Sequence, residues 1–114
     1  MSERELDLLK GTLELLVLTA LAGGREHHGF ELLDRIRAGT DEALVVEEGA
    51  LYPALHRMQK RGWLAATWGV SEKGRRAKYY RLTPAGEEAL DRERDSWARY
   101  VEAVASLARS SEAS

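Results

Sequence analysis

The stretch "EEGALYPALHRMQKRGW", residues 47–63, has the pattern of a short basic helix. Leu51, Leu55 and Met58 recur at i, i+4 and i+7, which predicts one apolar face that packs against a core. The basic side chains fall mostly outside that face. Gly62 predicts the end of the helix, because glycine is favoured just beyond a helix C-terminus. The stretch therefore predicts an amphipathic helix that presents positive charge to solvent.

Pro53 constrains where that helix begins. A proline costs about 3 kcal/mol in a helix interior, whereas the first turn tolerates it because the N–H groups there have no helical partner. We therefore expect the helix to begin near Gly49 or Ala50, with Pro53 at the end of its first turn. The free N–H groups of such a turn can also receive a phosphate.

The charge of the chain is divided unevenly. Its 114 residues carry a net charge of -2. Residues 49–81 hold eight basic side chains and one acidic side chain, a charge of +7, and the rest of the chain carries -9. This asymmetry favours an anionic partner for the middle segment, with acidic flanks that keep the chain soluble. Chance clustering on a solvated face is the alternative interpretation.

Length and composition limit the classes of protein to consider. The chain is long enough for one small domain, and a domain of this size often gains buried area by dimerising. It has no cysteine, which excludes disulfides and thiolate metal sites. The opening "MSERELDLLK" does not resemble a secretory signal, and the longest apolar run is too short to span a bilayer. We expect a cytoplasmic protein without a cofactor.

Two helical patterns precede the basic helix. Residues 5–22 carry an apolar stripe of helical spacing, interrupted near Thr12, which we expect to cap the second part. Residues 28–38 predict a second helix with one buried face. Residues 39–48 predict a connection, with a short strand at 44–46.

The periodicity then changes to that of a hairpin. Residues 63–70 and 77–83 are rich in the residue types that favour strands, and they flank the loop "SEKGRR" with its single glycine. Thr83 as N-cap and Pro84 as the first helical residue predict a last helix that runs to about Leu107.

The last helix carries an apolar seam. Its members repeat at spacings of seven, four, three and four, close to a heptad pattern: Leu90, Trp97, Val101, Val104 and Ala108. We expect this helix to meet a second copy of itself. The predicted organisation is therefore a DNA-binding domain over residues 1–83, a dimerisation helix over 84–109 and a disordered tail over 110–114.

Three short helices, a basic hairpin and a long helix make the plan of a winged helix-turn-helix, a mainly α fold with a small β-hairpin. The third helix of this plan enters the DNA major groove, and the hairpin, or wing, reaches the phosphate backbone or the minor groove beside it. A recognition helix contacts DNA mainly through its N-terminal turn, which accounts for the need to fix that turn with Pro53.

The candidate DNA contacts lie on this helix and on the wing. They are Tyr52, Pro53, His56, Arg57, Lys73, Arg75, Arg76, Lys78 and Tyr79. Basic wing residues bind phosphate without reading sequence, whereas an arginine on the helix can bind guanine through two hydrogen bonds. The alternatives are a solvated turn for the wing residues and packing beneath the wing for Tyr52. Lys60 and Arg61 lie further along the helix, and we expect them to be solvated.

Several aromatic residues are expected to be structural. Tyr79 and Tyr80 are adjacent in a strand and must face opposite ways, and Tyr80 is favoured for the core. Trp63 and Trp68 are expected to pack the hairpin on the helices. Trp97 is either interface core or a ligand contact.

No pattern indicates catalysis or a metal site. His27 and His28 are adjacent, so on a helix they point apart, and no third ligand follows at a recognised spacing. His28 is instead expected to cap or pack at the start of the second helix. His56 has no nucleophile or orienting acid nearby in sequence, which argues against an enzyme.

Four strings of the sequence together resemble the PadR-type transcriptional regulators. They are "LLKGTLELLVLTALAGG", "HHGFELLDRI", "GALYPALHRMQKRGW" and "TWGVSEKGRRAKYYRLTPAGEEAL". The resemblance covers roughly residues 6–105 and is closest to the short subgroup with a single C-terminal helix. The family often has serine at the position of Ala50 and tyrosine at that of Phe30, so two hydroxyl groups are absent here.

The resemblance implies a homodimer on a palindromic operator in double-stranded DNA. The C-terminal helix of each subunit would pack against the partner's N-terminal region, which adds Leu6, Leu9 and Leu13 to the seam as dimerisation residues. Members usually repress genes and are released by a small molecule or another signal. Some short members bind flat aromatic compounds between tryptophans of the C-terminal helices, and Trp97 occupies the corresponding position.

A protein–protein adaptor is the alternative function. In that case the seam of the last helix would be the working surface, and the basic hairpin would meet an acidic partner.

Overall fold

A computed structural model of the chain describes residues 11–113. In chain order the elements are α1 (Thr12–Ala20), α2 (Gly29–Gly39), α3 (Glu48–Lys60), β1 (Leu64–Val70), β2 (Arg76–Leu82) and α4 (Pro84–Ala113). The two strands pair antiparallel and follow the third helix, and α4 follows them. This order confirms the predicted fold class, a winged helix-turn-helix with a long C-terminal helix.

The core lies where α1, α2 and α3 meet the base of the hairpin and the first turns of α4. Its fully or almost fully buried members are mainly aliphatic: Val17, Leu18, Leu21, Leu32, Ile36, Leu51, Leu55, Met58, Leu64, Tyr80, Ala89 and Leu90. Helices α1, α2 and α3 contribute residues three or four apart, and α4 contributes the adjacent Ala89 and Leu90. One stripe of each helix is therefore buried, and the opposite stripe is left for solvent. Trp63 packs partly buried against this core, as expected.

The hairpin register separates two faces of the wing. Leu64 pairs with Leu82 at the base, and Val70 pairs with Arg76 near the tip. Because strand side chains alternate, the buried Leu64 and Tyr80 share one face with Trp68 and Lys78 further out. This inner face is therefore apolar at its base and aromatic and basic toward its tip.

Two hydrogen-bonded joints hold the wing against the helices. The N–H of His27 donates to the carbonyl of Tyr80 at 3.1 Å, and the N–H of Tyr80 donates to the carbonyl of His27 at 2.9 Å. His28 then caps α2, since its Nδ1 accepts from the N–H of Glu31 at 3.2 Å while the Glu31 carboxylate accepts from the N–H of His28 at 3.0 Å. The expectation that His28 caps the second helix is confirmed.

The second joint lies where β2 passes into α4. The N–H of Thr83 donates to the carbonyl of Trp63 at 3.0 Å, and the Thr83 hydroxyl accepts from the N–H of Gly86 at 3.0 Å. Gly86 lies so close to the carbonyl of Trp63 that no Cβ would fit there. Thr83 is thus the predicted N-cap of α4, and Pro84 is its first residue.

Helix α3 begins earlier than predicted. It starts at Glu48, so Pro53 is the sixth residue and lies in the second turn instead of at the end of the first. Proline has no N–H to donate to the carbonyl of Gly49, four residues earlier. Both residues are exposed, so water can hydrate that carbonyl and the helix continues through the proline.

Three further expectations differ from the structure. Thr12 is the first helical residue of α1, and Gly11, at φ 88°, takes the N-cap position. Residues 44–46 form no strand, since neither hairpin strand lies beside them. Helix α4 runs to Ala113, and residues 110–113, predicted to be disordered, continue it because neither glycine nor proline stops the helix there. Leu6 and Leu9 lie outside the described residues.

Candidate nucleic-acid interface

The exposed side of α3 forms a ridge that faces away from the core. Pro53, His56 and Lys60 follow one another at i, i+3 and i+7, and all are exposed. The predicted contacts Pro53 and His56 therefore share one surface. Lys60 was expected to be solvated, and it lies on the same ridge. Its spacing of seven residues from Pro53 in the sequence already indicates that the two share one face of the helix.

Arg57 is turned toward α1 instead of along this ridge. Its Nε lies 3.7 Å from the Glu14 carboxylate, and Arg61 Nη1 donates to the same carboxylate at 2.7 Å. One acid of α1 thus partly neutralises two arginines of the basic segment. Arg57 would have to leave Glu14 in order to reach a base edge.

Tyr52 lies where α3, α2 and the wing converge. Its ring packs over Gly29, at the start of α2, while the side chain remains partly exposed. Burial raises the pKa of the Tyr52 hydroxyl, and the nearby Glu48 carboxylate raises it further. The hydroxyl therefore stays protonated at neutral pH, as a donor to a phosphate oxygen must be. The two interpretations of Tyr52 are compatible, since the ring packs and remains accessible.

The basic residues of the wing fall into two groups. Lys73 and Arg75 are exposed around the turn at Gly74. Arg76 and Lys78 lie on the inner face, each beside an aromatic ring: the Arg76 guanidinium is 4.2 Å from the Trp68 ring centroid, and Lys78 Nζ is 5.7 Å from that of Tyr80.

The two adjacent tyrosines face opposite ways, as predicted. Tyr80 is in the core, which confirms the preferred assignment. Tyr79 lies on the outer face, where its ring contacts Gly69 and the edge of His28, and its hydroxyl donates to the carbonyl of Val70 at 3.3 Å. This placement separates Tyr79 from Arg76 and Lys78, so it is not part of the inner basic face.

Trp68 does not pack the hairpin on the helices, contrary to expectation. Its side chain is 59% exposed, because the hairpin extends beyond the core at this position. Trp68 instead lines a groove of about 680 Å³ between the inner face of the wing and the N-terminal ends of α2 and α3. Phe30, Tyr52, Arg76 and Lys78 line the same groove. The structure thus brings one predicted contact of α3, Tyr52, and four of the wing to a single surface, which we call the wing groove; the four are Lys73, Arg75, Arg76 and Lys78.

The apolar seam of α4 begins later than predicted. Leu90 is 5% exposed in the core of its own chain, so it is not available to a partner. Leu13 is also partly buried against this core. Trp97, Val101 and Val104 remain exposed on the outer part of the helix. Leu90 was wrongly assigned to the dimer interface because a heptad pattern is the same whether a helix packs within its own chain or against a second chain.

Trp97 borders a second, smaller cavity. Its ring stacks on Tyr100 with 6.1 Å between centroids and a 20° angle between planes. Both rings, with Leu15 and Glu93, line a cavity of about 390 Å³ between α4 and the start of α1. Tyr100, which lies outside the predicted seam, adds an exposed aromatic surface beside it.

Within residues 11–113, no cluster of three His, Cys, Asp or Glu side chains is arranged to hold a metal ion. His28 uses Nδ1 for the helix cap. Among the described residues the buried ring nitrogens of His27 have no hydrogen-bond partner, and Nδ1 lies 3.6 Å from the Glu31 carboxylate. No helix in the same range is long and apolar enough to cross a membrane.

Solved structures of similar proteins share this fold. A PadR-like transcriptional regulator from Bacillus cereus is 34% identical, with a TM-score of 0.73 over 87% of this chain and 93% of that one. A transcriptional regulator from Clostridium thermocellum is 31% identical, with a TM-score of 0.74 over 82% of this chain and 90% of that one.

Sequence comparisons agree with the structural ones. A transcriptional regulator from Mycobacterium tuberculosis is 45% identical over 49 residues, which are 43% of this chain and 45% of that protein. Residues 17–92, from α1 through the wing to the start of α4, match the model of the transcriptional regulator PadR-like family. The chain therefore belongs to the PadR-like family, and it is a DNA-binding transcription regulator and not an enzyme.

Proposed function

We propose that the protein is a homodimeric repressor that binds a palindromic operator and is released by a small molecule. The observation that carries the dimer is the exposed apolar surface of α4. Val101 is 45% exposed and Val104 is 52% exposed, although both lie on one face of a helix whose first turns are well packed. A contiguous apolar surface of this kind marks an interaction site.

The length of α4 supports the same proposal. Its 30 residues span about 45 Å, and its buried residues, Ala89 and Leu90, lie near its start. The outer turns have no partner among residues 11–113 that would bury their valines. Both valines are already about half-buried, so complete burial in a dimer would contribute about half of the 1.5–3 kcal/mol that burying a fully exposed valine contributes. We propose that the outer part of α4 is the dimerisation helix.

The DNA-binding surface follows from the wing groove and the ridge of α3. In this arrangement His56 and Lys60 of the ridge face the major groove, and a phosphate strand passes over the wing groove beside it. Tyr52, Arg76 and Lys78 would contact that strand, while Lys73 and Arg75 would reach phosphates further along. The two wings of a dimer would then flank the two halves of a palindrome.

Repression and release are what the PadR-type resemblance implies, and the cavity beside Trp97 supports the release step. The rings of Trp97 and Tyr100, which stack on each other and line this cavity, offer a surface to a planar aromatic compound. The cavity opens along the helix that carries the dimer face, so an occupant could change how two subunits meet. We propose that a small aromatic effector binds there in the cytoplasm and weakens DNA binding.

A reporter assay tests repression. We expect the protein to lower expression from its own upstream region severalfold, and we expect a variant with both Arg75→Ala and Arg76→Ala to lose this effect. Increased expression would contradict the repressor assignment.

For the effector, binding of aromatic compounds should change Trp97 fluorescence in a Trp63→Phe/Trp68→Phe protein. Unchanged fluorescence across a panel of such compounds would exclude the aromatic site.

A further inference from the structure

Trp68 lies on the exposed part of the wing although tryptophan is a costly residue to leave in water. Its partner across the ladder is Lys78, and Arg76 lies two residues further along the neighbouring strand on the same inner face. The hairpin could hold its register at this rung with any residue that favours strands. The presence of an indole here therefore calls for a specific contact.

That contact is with Arg76. The guanidinium lies over the indole ring at 4.2 Å from the ring centroid, within the range of a cation–π interaction. Arg76 comes from the rung nearer the tip, so it leans back along the inner face toward the wing groove. Lys78 leans in the same direction over Tyr80. Both cations are thus directed into the groove instead of outward beyond the tip of the wing.

Arg76 is also free to bind an anion. Within residues 11–113, no carboxylate oxygen lies within 4.0 Å of its guanidinium, in contrast to Arg57 and Arg61, which share Glu14. A guanidinium on a ring keeps its in-plane N–H donors available, because the ring occupies only its face. Trp68 therefore fixes the direction of Arg76 without using the hydrogen bonds that a phosphate would accept.

We propose that Trp68 is a positioning residue of the DNA-binding wing, which holds the Arg76 guanidinium in the wing groove for one DNA phosphate. This role rests on the proposed placement of DNA over the groove. The ring reduces the conformational freedom that Arg76 would lose on binding. Trp68 acts through Arg76 and does not itself contact a base.

A double-mutant cycle tests this role. We would measure the affinity for operator DNA of the wild type, Trp68→Ala, Arg76→Ala and the double variant. Trp68→Ala should weaken binding by about two- to fivefold, the strength of one exposed cation–π contact. The same substitution should have no further effect once Arg76 is absent. Trp68→Phe, which keeps an aromatic face, should restore most of the affinity. Thr67→Ala, the neighbouring exposed residue on the outer face of the same strand, is the control and should bind like the wild type.

The outcomes separate this proposal from the proposed function. An equal loss from Trp68→Ala with and without Arg76 would overturn the positioning role, since Trp68 would then contact DNA itself. A loss from Arg76→Ala without any loss from Trp68→Ala would also overturn it, while the DNA surface would stand. If the wild type bound no DNA, the proposed placement would fail first and the role of Trp68 would fail with it.

Discussion

Single residues decide how the wing groove is built. Tyr52 is close enough to Gly29 that a Cβ there would overlap its phenol ring. The neighbour in this contact is the far end of a side chain, which could rotate away at the expense of the groove. His28, next to Gly29, caps α2 and touches the ring of Tyr79. The start of α2 is therefore fixed by local contacts that also shape the wing groove.

We predict that His28→Ala destabilises the protein by about 1 kcal/mol, because the N–H of Glu31 loses its acceptor. His28→Asn should lose less stability than His28→Ala, since asparagine is among the best N-cap residues. Urea unfolding at one fixed protein concentration measures both variants. Equal stability of His28→Ala and the wild type would show that the cap contributes nothing.

A second prediction concerns Tyr80 at high pH. Burial raises the pKa of its hydroxyl, and the neighbouring Tyr52 raises it further. Above pH 10, about the ordinary tyrosine pKa, the unfolded chain loses this proton while the folded chain keeps it. The unfolded state then binds fewer protons, so the free energy of unfolding falls as pH rises.

The Tyr80→Phe variant removes this contribution. As pH increases from 9 to about 11, we expect the unfolding midpoint of the wild type to fall more than that of Tyr80→Phe. The midpoint of the variant should therefore approach that of the wild type or exceed it. Parallel loss of stability in both proteins over this range would contradict the prediction.

At the scale of elements, the joint between the wing and α4 leaves no space for a side chain at Gly86. Gly86 lies against the backbone carbonyl of Trp63, which cannot rotate away as a side chain can. We predict that Gly86→Ala destabilises the protein by about 3 kcal/mol, a typical effect of overpacking. Gly49→Ala is the matched control, because nothing lies within 4 Å of a Cβ at that helical position. Thermal unfolding compares the two, and an equal effect would show that the close approach at Gly86 is unimportant.

The elements also show what sequence patterns can and cannot predict. The order of helices and strands, the Thr83 cap and the core position of Tyr80 followed from periodicity and residue type. The start of α3 could not be predicted from these patterns. A proline in the second turn is acceptable only where water can hydrate the carbonyl four residues earlier, here that of Gly49. The exposure of Trp68 was missed because residue type favours burial, whereas the reach of the hairpin beyond the core depends on tertiary packing.

The candidate site was predictable to a similar extent. The basic wing and the N-terminal turn of α3 were predicted as DNA contacts from composition and spacing, and they stay predictions. The pairing of Arg57 with Glu14 was not, since these residues are 43 positions apart and meet only after α1 packs beside α3.

At the scale of the whole molecule, the outer face of α4 should decide the oligomeric state. We predict that Val101→Glu with Val104→Glu converts the proposed dimer to a monomer, because each subunit would bury two charges in the interface. Arg92→Ala with Arg99→Ala changes the net charge equally on the opposite side of the helix, and it should remain dimeric. Analytical ultracentrifugation measures the mass of each. A dimeric glutamate variant would place the interface elsewhere.

The whole molecule is proposed to bind operator DNA through the basic wing together with α3. Fluorescence anisotropy over a salt series, with DNA from the protein's own upstream region and a scrambled duplex of equal length, tests it most directly. We predict tight binding to the upstream DNA, and a salt dependence that falls by about one to two phosphate contacts in the Arg75→Ala/Arg76→Ala variant. The Arg92→Ala/Arg99→Ala variant should keep the wild-type slope. Unchanged affinity and slope in the wing variant would contradict the account.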